Sequence, residues 1–201
     1  IYSAVHALAS PVVREDRPEE IYQPNDKGYK ALLSSKRVFL ELLRTMVREG
    51  WVDQIEESTL TRMDKSYVSP DFRGKEDDLV YRMKLGGEDV IFYVLTEMQS
   101  TNDFLMPYRL LSSMMEIWRD QLQNARRREA RRKSFRLPAV VPIVLHNGRR
   151  KWTAKRRFRE TVVGPDSIAR YVPDFEYILL DVNRYGEKEL VEAGNMIASV
   201  F

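Results

Sequence analysis

A chain of 201 residues with 43% hydrophobic content can bury one good core, so its simplest organisation is a single domain with extensions. With no cysteine it excludes disulfides, zinc–thiolate centres and a cysteine nucleophile, and two isolated histidines, His6 and His146, leave little for a histidine-rich metal site; any metal is expected to be a hard ion held by oxygen. The net charge of +3 is unevenly spread, since residues 1–124 carry 16 basic and 21 acidic side chains (net −5) and residues 125–201 carry 17 and 9 (net +8).

Residues 1–24 mix prolines and charges without a period and are expected to form a poorly ordered or docking arm. They lack the pattern of a signal peptide, and the chain has no run of about 18 uncharged apolar residues, so a soluble, cytoplasmic protein with no membrane partner is expected. The domain proper is expected over 25–201. Asn25 or Asp26 can cap a first helix that runs through Tyr29, Leu32, Leu33, Phe39, Leu40, Leu43, Met46 and Val47 to a stop at Gly50. Weak alternation over 58–68 (Leu60, Arg62, Tyr67, Val68) predicts a strand, broken by Ser69-Pro70. The apolar runs 78–85 and 90–99 then flank Gly86-Gly87-Glu88-Asp89 and predict a β-hairpin, with Gly87-Glu88 in the two-residue turn.

After Asp103 a second helix is predicted to about Gln123, with Leu111, Met115, Trp118 and Leu122 as its core face. The run LPAVVPIVL at 137–145 has the composition of a buried strand, although Pro142 argues for an edge or a bulge. A further strand is predicted over 175–182 and a last helix over 187–200. The apolar pattern is still running at the C-terminus, so the sequence is expected to continue in a longer protein.

The hairpin carries the chemistry. A turn centred between Gly87 and Glu88 sets Asp78 opposite Glu97, with Cβ atoms about 4.5–5.5 Å apart, and Gln99 shares that face while Met98 points away. Two carboxylates at that spacing, flanked by Leu79, Val80, Leu95 and Met98, repel one another and are poorly solvated. A divalent cation resolves the conflict. Magnesium, with manganese as a substitute, accepts one or two protein carboxylates and leaves positions for water and phosphate oxygens, which suits attack on phosphorus. The structural alternative is a pair of ordinary strand-end acids matched with Arg82, Lys84 or Arg109, and a slip of one residue would put Asp77 in the place of Asp78.

Between residues 125 and 159, 14 Lys/Arg face a single acid, Glu129. Arg126, Arg127, Arg128, Arg131, Arg132 and Lys133 are expected to cover much of one helix. Arg149, Arg150, Lys151, Lys155, Arg156, Arg157 and Arg159 follow the apolar strand, with Trp152 and Phe158 interleaved. Such density suits a phosphate backbone; the alternative is a solvated face that neutralises the acidic half of the chain. His146 reads as a hydrogen-bonding turn residue, because it has no histidine partner in the sequence.

The stretches DKGYKALLSSKRVFLELLR, KEDDLVYRMKL, VIFYVLTEMQST, FLMPYRLL and LPAVVPIVLHNGRRKW together resemble the recombination-promoting nucleases, also labelled transposases, within the PD-(D/E)XK superfamily. The resemblance runs from about Asp26 to the C-terminus. It implies an α/β, restriction-endonuclease-like core: a helix, three antiparallel strands, a second helix and a further strand, with C-terminal strand and helix extensions. It also implies magnesium-dependent cleavage of double-stranded DNA, without a small-molecule substrate, in mobile-element recombination or genome defence. Asp78, Glu97 and Gln99 are the catalytic positions on this reading, and a homodimer is compatible with it.

One departure is Gln99, where the wider superfamily usually has lysine; an amide can orient water or donate to a phosphate oxygen but supplies no cation. The missing charge is expected from Lys84, Arg82, Arg109 or a second metal. Pro70-Asp71 is simplest as a turn, Glu41 as part of a salt-bridged helix surface, and Arg109 either as a phosphate contact or as a partner of Asp103 or Glu116. The alternatives in function are a catalytically weak nuclease-like scaffold that binds nucleic acid in a transposition or defence assembly, and a protein-interaction module for an acidic partner.

Overall fold

Val38, Phe39, Leu42, Leu43 and Met46 fall on one side of the stretch Lys36–Met46, which forms helix α1 and buries all five. Its outer side carries the Arg37–Glu41 pair (3.2 Å) and Arg44, which faces Glu57 at 3.8 Å, so Glu41 is part of a salt-bridged surface. The computed structural model describes residues 33–63, 78–97, 102–146, 148 and 150–181, with positions 96 and 97 described by their backbone alone. The expected N-terminal arm, the start of the first helix, the Ser69-Pro70 break, Pro70-Asp71, Gln99, Arg149 and the last helix lie outside the described residues.

Strand β1 is Thr61–Arg62 and begins three residues later than the alternation over 58–68 predicts, the part at 64–68 lying outside the described residues. The reason is local: Glu57–Thr59 closes a 3-10 turn, and the Thr59 hydroxyl donates to the Glu56 carbonyl at 2.7 Å, which ends extended backbone on that side. Strands β2 (Leu79–Leu85) and β3 (Glu88–Glu97) form the predicted hairpin in a different register. Leu85 pairs with Glu88 and Leu79 with Val94, so the turn residues are Gly86 and Gly87, not Gly87 and Glu88. Both glycines have positive φ, 58° and 86°. With positive φ at both central residues the turn is of type I′, and a glutamate at either would be strained.

Helix α2 (Met106–Asn124) follows, then a single helical turn, α3 (Arg127–Ala130), and strands β4 (Ala139–His146) and β5 (Ile178–Asp181). The result is a mixed α/β fold with an open five-stranded sheet in the order β1-β2-β3-β4-β5. The first three strands are antiparallel; β4 runs parallel to β3, and β5 parallel to β4. Thus β4 is an interior strand. Pro142 pairs in register with Tyr93 of β3 but sits one residue before β5 begins to pair at Ile143, so the part of β4 that contains it has one neighbour.

Alternation sorts the sheet residues onto two cores. Leu79, Tyr81, Phe92, Val94, Ile143 and Leu145 pack with α1, where Phe39 stacks on Tyr81 at 4.2 Å. Val80, Ile91, Tyr93, Leu95, Val140 and Val144 pack with Met106, Leu110, Met114 and Ile117 of α2. The buried stripe of α2 is therefore not the predicted one: Met115 is 56% and Leu122 46% exposed, and Leu111 and Trp118 are half-buried. The helix carries two adjacent apolar stripes of equal period, and packing chooses the one that contains the small Ser113, which lets the helix approach Tyr93. Trp118 instead spans the rim, its indole N–H donating to the Pro138 carbonyl at 2.8 Å.

Burial raises the phenol pKa of Tyr81 and of Tyr177 to about 12 and that of Tyr93 well above its ordinary value. In the unfolded chain these groups ionise near pH 10. From there upward the folded form holds more protons than the unfolded one, so stability is intact below about pH 10 and falls as pH rises toward about 12. In a phenolate absorbance titration followed alongside circular dichroism, three of the ten tyrosines are expected to ionise only as the fold is lost. Ionisation of all ten near pH 10 in the folded protein would contradict this.

Candidate active site at the strand ends

Three apolar strand runs each finish on one ionisable residue: β3 on Glu97, β4 on His146 and β5 on Asp181. The parallel register sets these three positions side by side, Glu97 with His146 and His146 with Asp181. Because β2 is antiparallel to β3, its start lies at the same end of the sheet, and there Asp78 is found, 5% exposed. The carboxyl ends of parallel strands are where open α/β sheets place ligands.

The hairpin register alters the expected geometry of Asp78 and Glu97. Asp78 is level with position 95, and Glu97 stands two residues further along β3, so the two are not directly opposed. A displacement of two residues preserves side-chain parity, and positions 78, 95 and 97 remain in one alternation series on the α2 side.

The Tyr93 hydroxyl donates to Asp78 Oδ2, and Ser113 Oγ of α2 donates to the Tyr93 oxygen at 3.1 Å. Burial first, then the charge of Asp78 and its hydrogen bond, hold the Tyr93 pKa high, which keeps the phenol a donor. A carboxylate has about four acceptor positions, so accepting from Tyr93 is compatible with holding a cation. Among the described residues no group of three or more acidic or histidine side chains by itself makes a metal cage. Magnesium does not require one, since it is commonly held by one or two carboxylates.

Arg109 of α2 pairs with Asp103 at 2.6 Å, one of the two partners expected for it, and lies near enough to act electrostatically on the Tyr93 hydroxyl. Asp103 also accepts the Leu105 backbone N–H at 2.8 Å, which shapes the entry to α2. Asn102 joins that entry to the loop after β4, donating to the Lys151 carbonyl at 3.2 Å and accepting from Thr153 N–H at 2.9 Å. Arg82 pairs with Asp89 near the hairpin turn, at the other end of β2 from Asp78, so it is not the strand-end partner of that acid.

His146 is a strand residue, 1% exposed, rather than a turn residue. Its ring packs edge-on against Trp152 at 4.9 Å, and Nε2 lies 2.8 Å from the Arg150 carbonyl. Tyr93, Ser113, His146 and Asp181 are the buried polar groups that sequence reasoning did not place here. A signal was present, in that VLTE, IVLH and ILLD all end an apolar run on one ionisable residue, but without the strand pairing those endings are not neighbours.

The basic region divides in two. Arg126, Arg127, Arg128, Arg131, Arg132 and Lys133 are all exposed, and none takes part in an ion pair among the described residues. They do not cover one long helix: α2 ends at Asn124, and only the four residues Arg127–Ala130 are helical beyond it. Arg150 and Lys151 are also exposed. The later cluster is matched locally, Lys155 with Glu160, Arg156 with Glu176, Arg157 with Asp174 and Arg159 with Asp166. Arg157 binds both oxygens of Asp174 and, by those hydrogen bonds, holds its carboxyl below the usual range. Trp152 and Phe158 are buried and are not base-stacking platforms.

Residues 23–200 match the family model described as "Putative transposase, YhgA-like", and the chain belongs to that family. Among curated proteins it is similar to the recombination-promoting nuclease RpnD of Escherichia coli O157:H7, with 23% identity over 127 residues, which is 63% of this chain and 46% of that protein. The chain thus spans about half the length of that relative. No solved structure matches. Among the described residues, no helix is long and apolar enough to cross a membrane.

Proposed function

We propose that the chain is a magnesium-dependent DNA endonuclease on a restriction-endonuclease-like core of the PD-(D/E)XK type, acting where β2 begins and β3, β4 and β5 end. The observation that carries this reading is the placement of Asp78: a buried carboxylate, fixed by the Tyr93 hydroxyl, at the same end of the sheet and in the same alternation series as position 97. Family membership and the name of the curated relative support the class of reaction.

In this reading Asp78 and Glu97 hold magnesium, which supplies Lewis acidity toward water and phosphate oxygens. Ser113 and Tyr93 hold the Asp78 carboxylate in one orientation. Gln99 orients water or donates to a phosphate oxygen, and Arg109, steadied by Asp103, brings positive charge toward the developing negative charge on phosphorus. Arg126, Arg127, Arg128, Arg131, Arg132 and Lys133 contact the backbone of double-stranded DNA, with Arg150 and Lys151 as further contacts. The relative's name supports a role in recombination and the family description one in transposition.

Supercoiled plasmid incubated with the full chain is expected to be nicked or linearised when magnesium or manganese is supplied, and to stay supercoiled in chelator. Salt-sensitive DNA binding without metal-dependent nicking would overturn the endonuclease reading in favour of a nucleic-acid-binding scaffold.

A further inference from the structure

We infer that His146 and Asp181 form a second divalent-cation position beside the Asp78–Glu97 site, one that takes a transition-metal ion such as manganese through the His146 Nδ1 nitrogen. The inference rests on the metal site proposed above and adds a donor of a different chemical type to it.

The ring of His146 is oriented. A backbone carbonyl only accepts hydrogen bonds, so Nε2, at 2.8 Å from the Arg150 oxygen, carries the proton. In the neutral ring the lone pair then resides on Nδ1. That atom is buried and has no hydrogen-bond partner among the described residues. A buried polar atom without a partner is destabilising, and a cation bound at this end of the interior strand β4 would supply one. Metal-binding histidines show the same division of labour, one nitrogen donating to a backbone carbonyl and the other turned to the ion.

The surroundings supply the rest. Asp181 pairs in register with His146, is 4% exposed and lies in the same alternation series, so a carboxylate and an imidazole stand on neighbouring strands about 4.8 Å apart. Position 97 is the neighbour on the other side. Trp152 packs against the imidazole edge and limits its rotation. A nitrogen–oxygen donor pair favours transition ions over magnesium, which prefers oxygen. A second cation here also meets the shortfall of charge left by Gln99, since two adjacent ions can neutralise both the attacking and the leaving oxygen in phosphoryl transfer.

The test is manganese binding to the full chain, read by electron paramagnetic resonance without reference to cleavage. Bound manganese is expected to show nitrogen modulation from a coordinated imidazole in pulsed spectra. That modulation should persist in Asp78→Asn and vanish in His146→Ala, with manganese affinity lowered about tenfold or more in the latter. Asp181→Asn should weaken the same nitrogen-coupled ion, which gives a second variant if His146→Ala folds poorly. Manganese bound to the wild-type chain without nitrogen modulation would overturn this inference and leave the carboxylate site standing. Absence of any bound manganese at millimolar concentration would overturn both.

Discussion

Asp78→Asn is expected to lower magnesium-dependent plasmid nicking on the order of 10²–10³-fold while the protein remains folded. The substitution keeps the size of the side chain and an oxygen to accept from Tyr93, and removes only the negative charge, so the change falls on the cation. Several kcal/mol of transition-state stabilisation is the usual contribution of a catalytic metal, and each 1.36 kcal/mol or so is worth about tenfold in rate. Glu97→Gln should do the same.

Tyr93→Phe separates a structural role of Asp78 from a catalytic one. It removes one donor from a buried carboxylate and should cost about 1–3 kcal/mol of stability, read as a fall in Tm. If Asp78 is no more than a satisfied core acid, Asp78→Asn and Tyr93→Phe will both shift Tm and neither will change the nicking rate of the folded fraction. If it is a metal ligand, Asp78→Asn lowers the rate on the order of 10²–10³-fold, and excess magnesium does not restore it.

The second large effect belongs to the basic segment. Replacing Arg126, Arg127, Arg128, Arg131, Arg132 and Lys133 with glutamine should flatten the dependence of DNA affinity on salt, by about 0.9 in the log–log slope for each phosphate no longer neutralised. If all six side chains reach phosphates, affinity at low salt should fall roughly 10³-fold or more. The comparison is the double substitution Arg156→Gln with Arg157→Gln. Those side chains are already engaged by Glu176 and Asp174 and so are not available to phosphates, and the slope should barely move. Equal effects per charge removed would show that DNA responds to total charge rather than to this segment. An unchanged slope in the sixfold variant would remove the segment from the interface.

Helix α1, the hairpin, α2 and strands β4 and β5 were legible in the sequence because each rests on a local signal: helical spacing, a glycine pair between apolar runs, or an apolar run of strand length. The positions of Asp78 and Glu97 at the open end of one hairpin were legible for the same reason. The turn was misplaced by one residue because Gly86-Gly87 and Gly87-Glu88 both read as tight turns, and only the demand for two positive φ angles separates them. The buried stripe of α2 was misplaced because Leu110, Met114 and Ile117 have the same period as Leu111, Met115 and Trp118, and period does not say which stripe meets the sheet.

What the sequence determined alone was therefore one-dimensional: where apolar runs start and stop, which residues interrupt them, how charge is distributed, and the family to which that pattern belongs. The tertiary structure decided everything that depends on which strands are neighbours. Pairing of β4 between β3 and β5 puts His146 and Asp181 in one row with Glu97, although they are 49 and 84 positions away from it in the chain. The same folding brings acids to Lys155, Arg156, Arg157 and Arg159 and leaves the basic side chains of the segment 126–133 without an ion pair among the described residues. The physical reason is that side-chain chemistry acts over a few ångströms, and distance along a chain is a poor guide to that separation once long connections have closed.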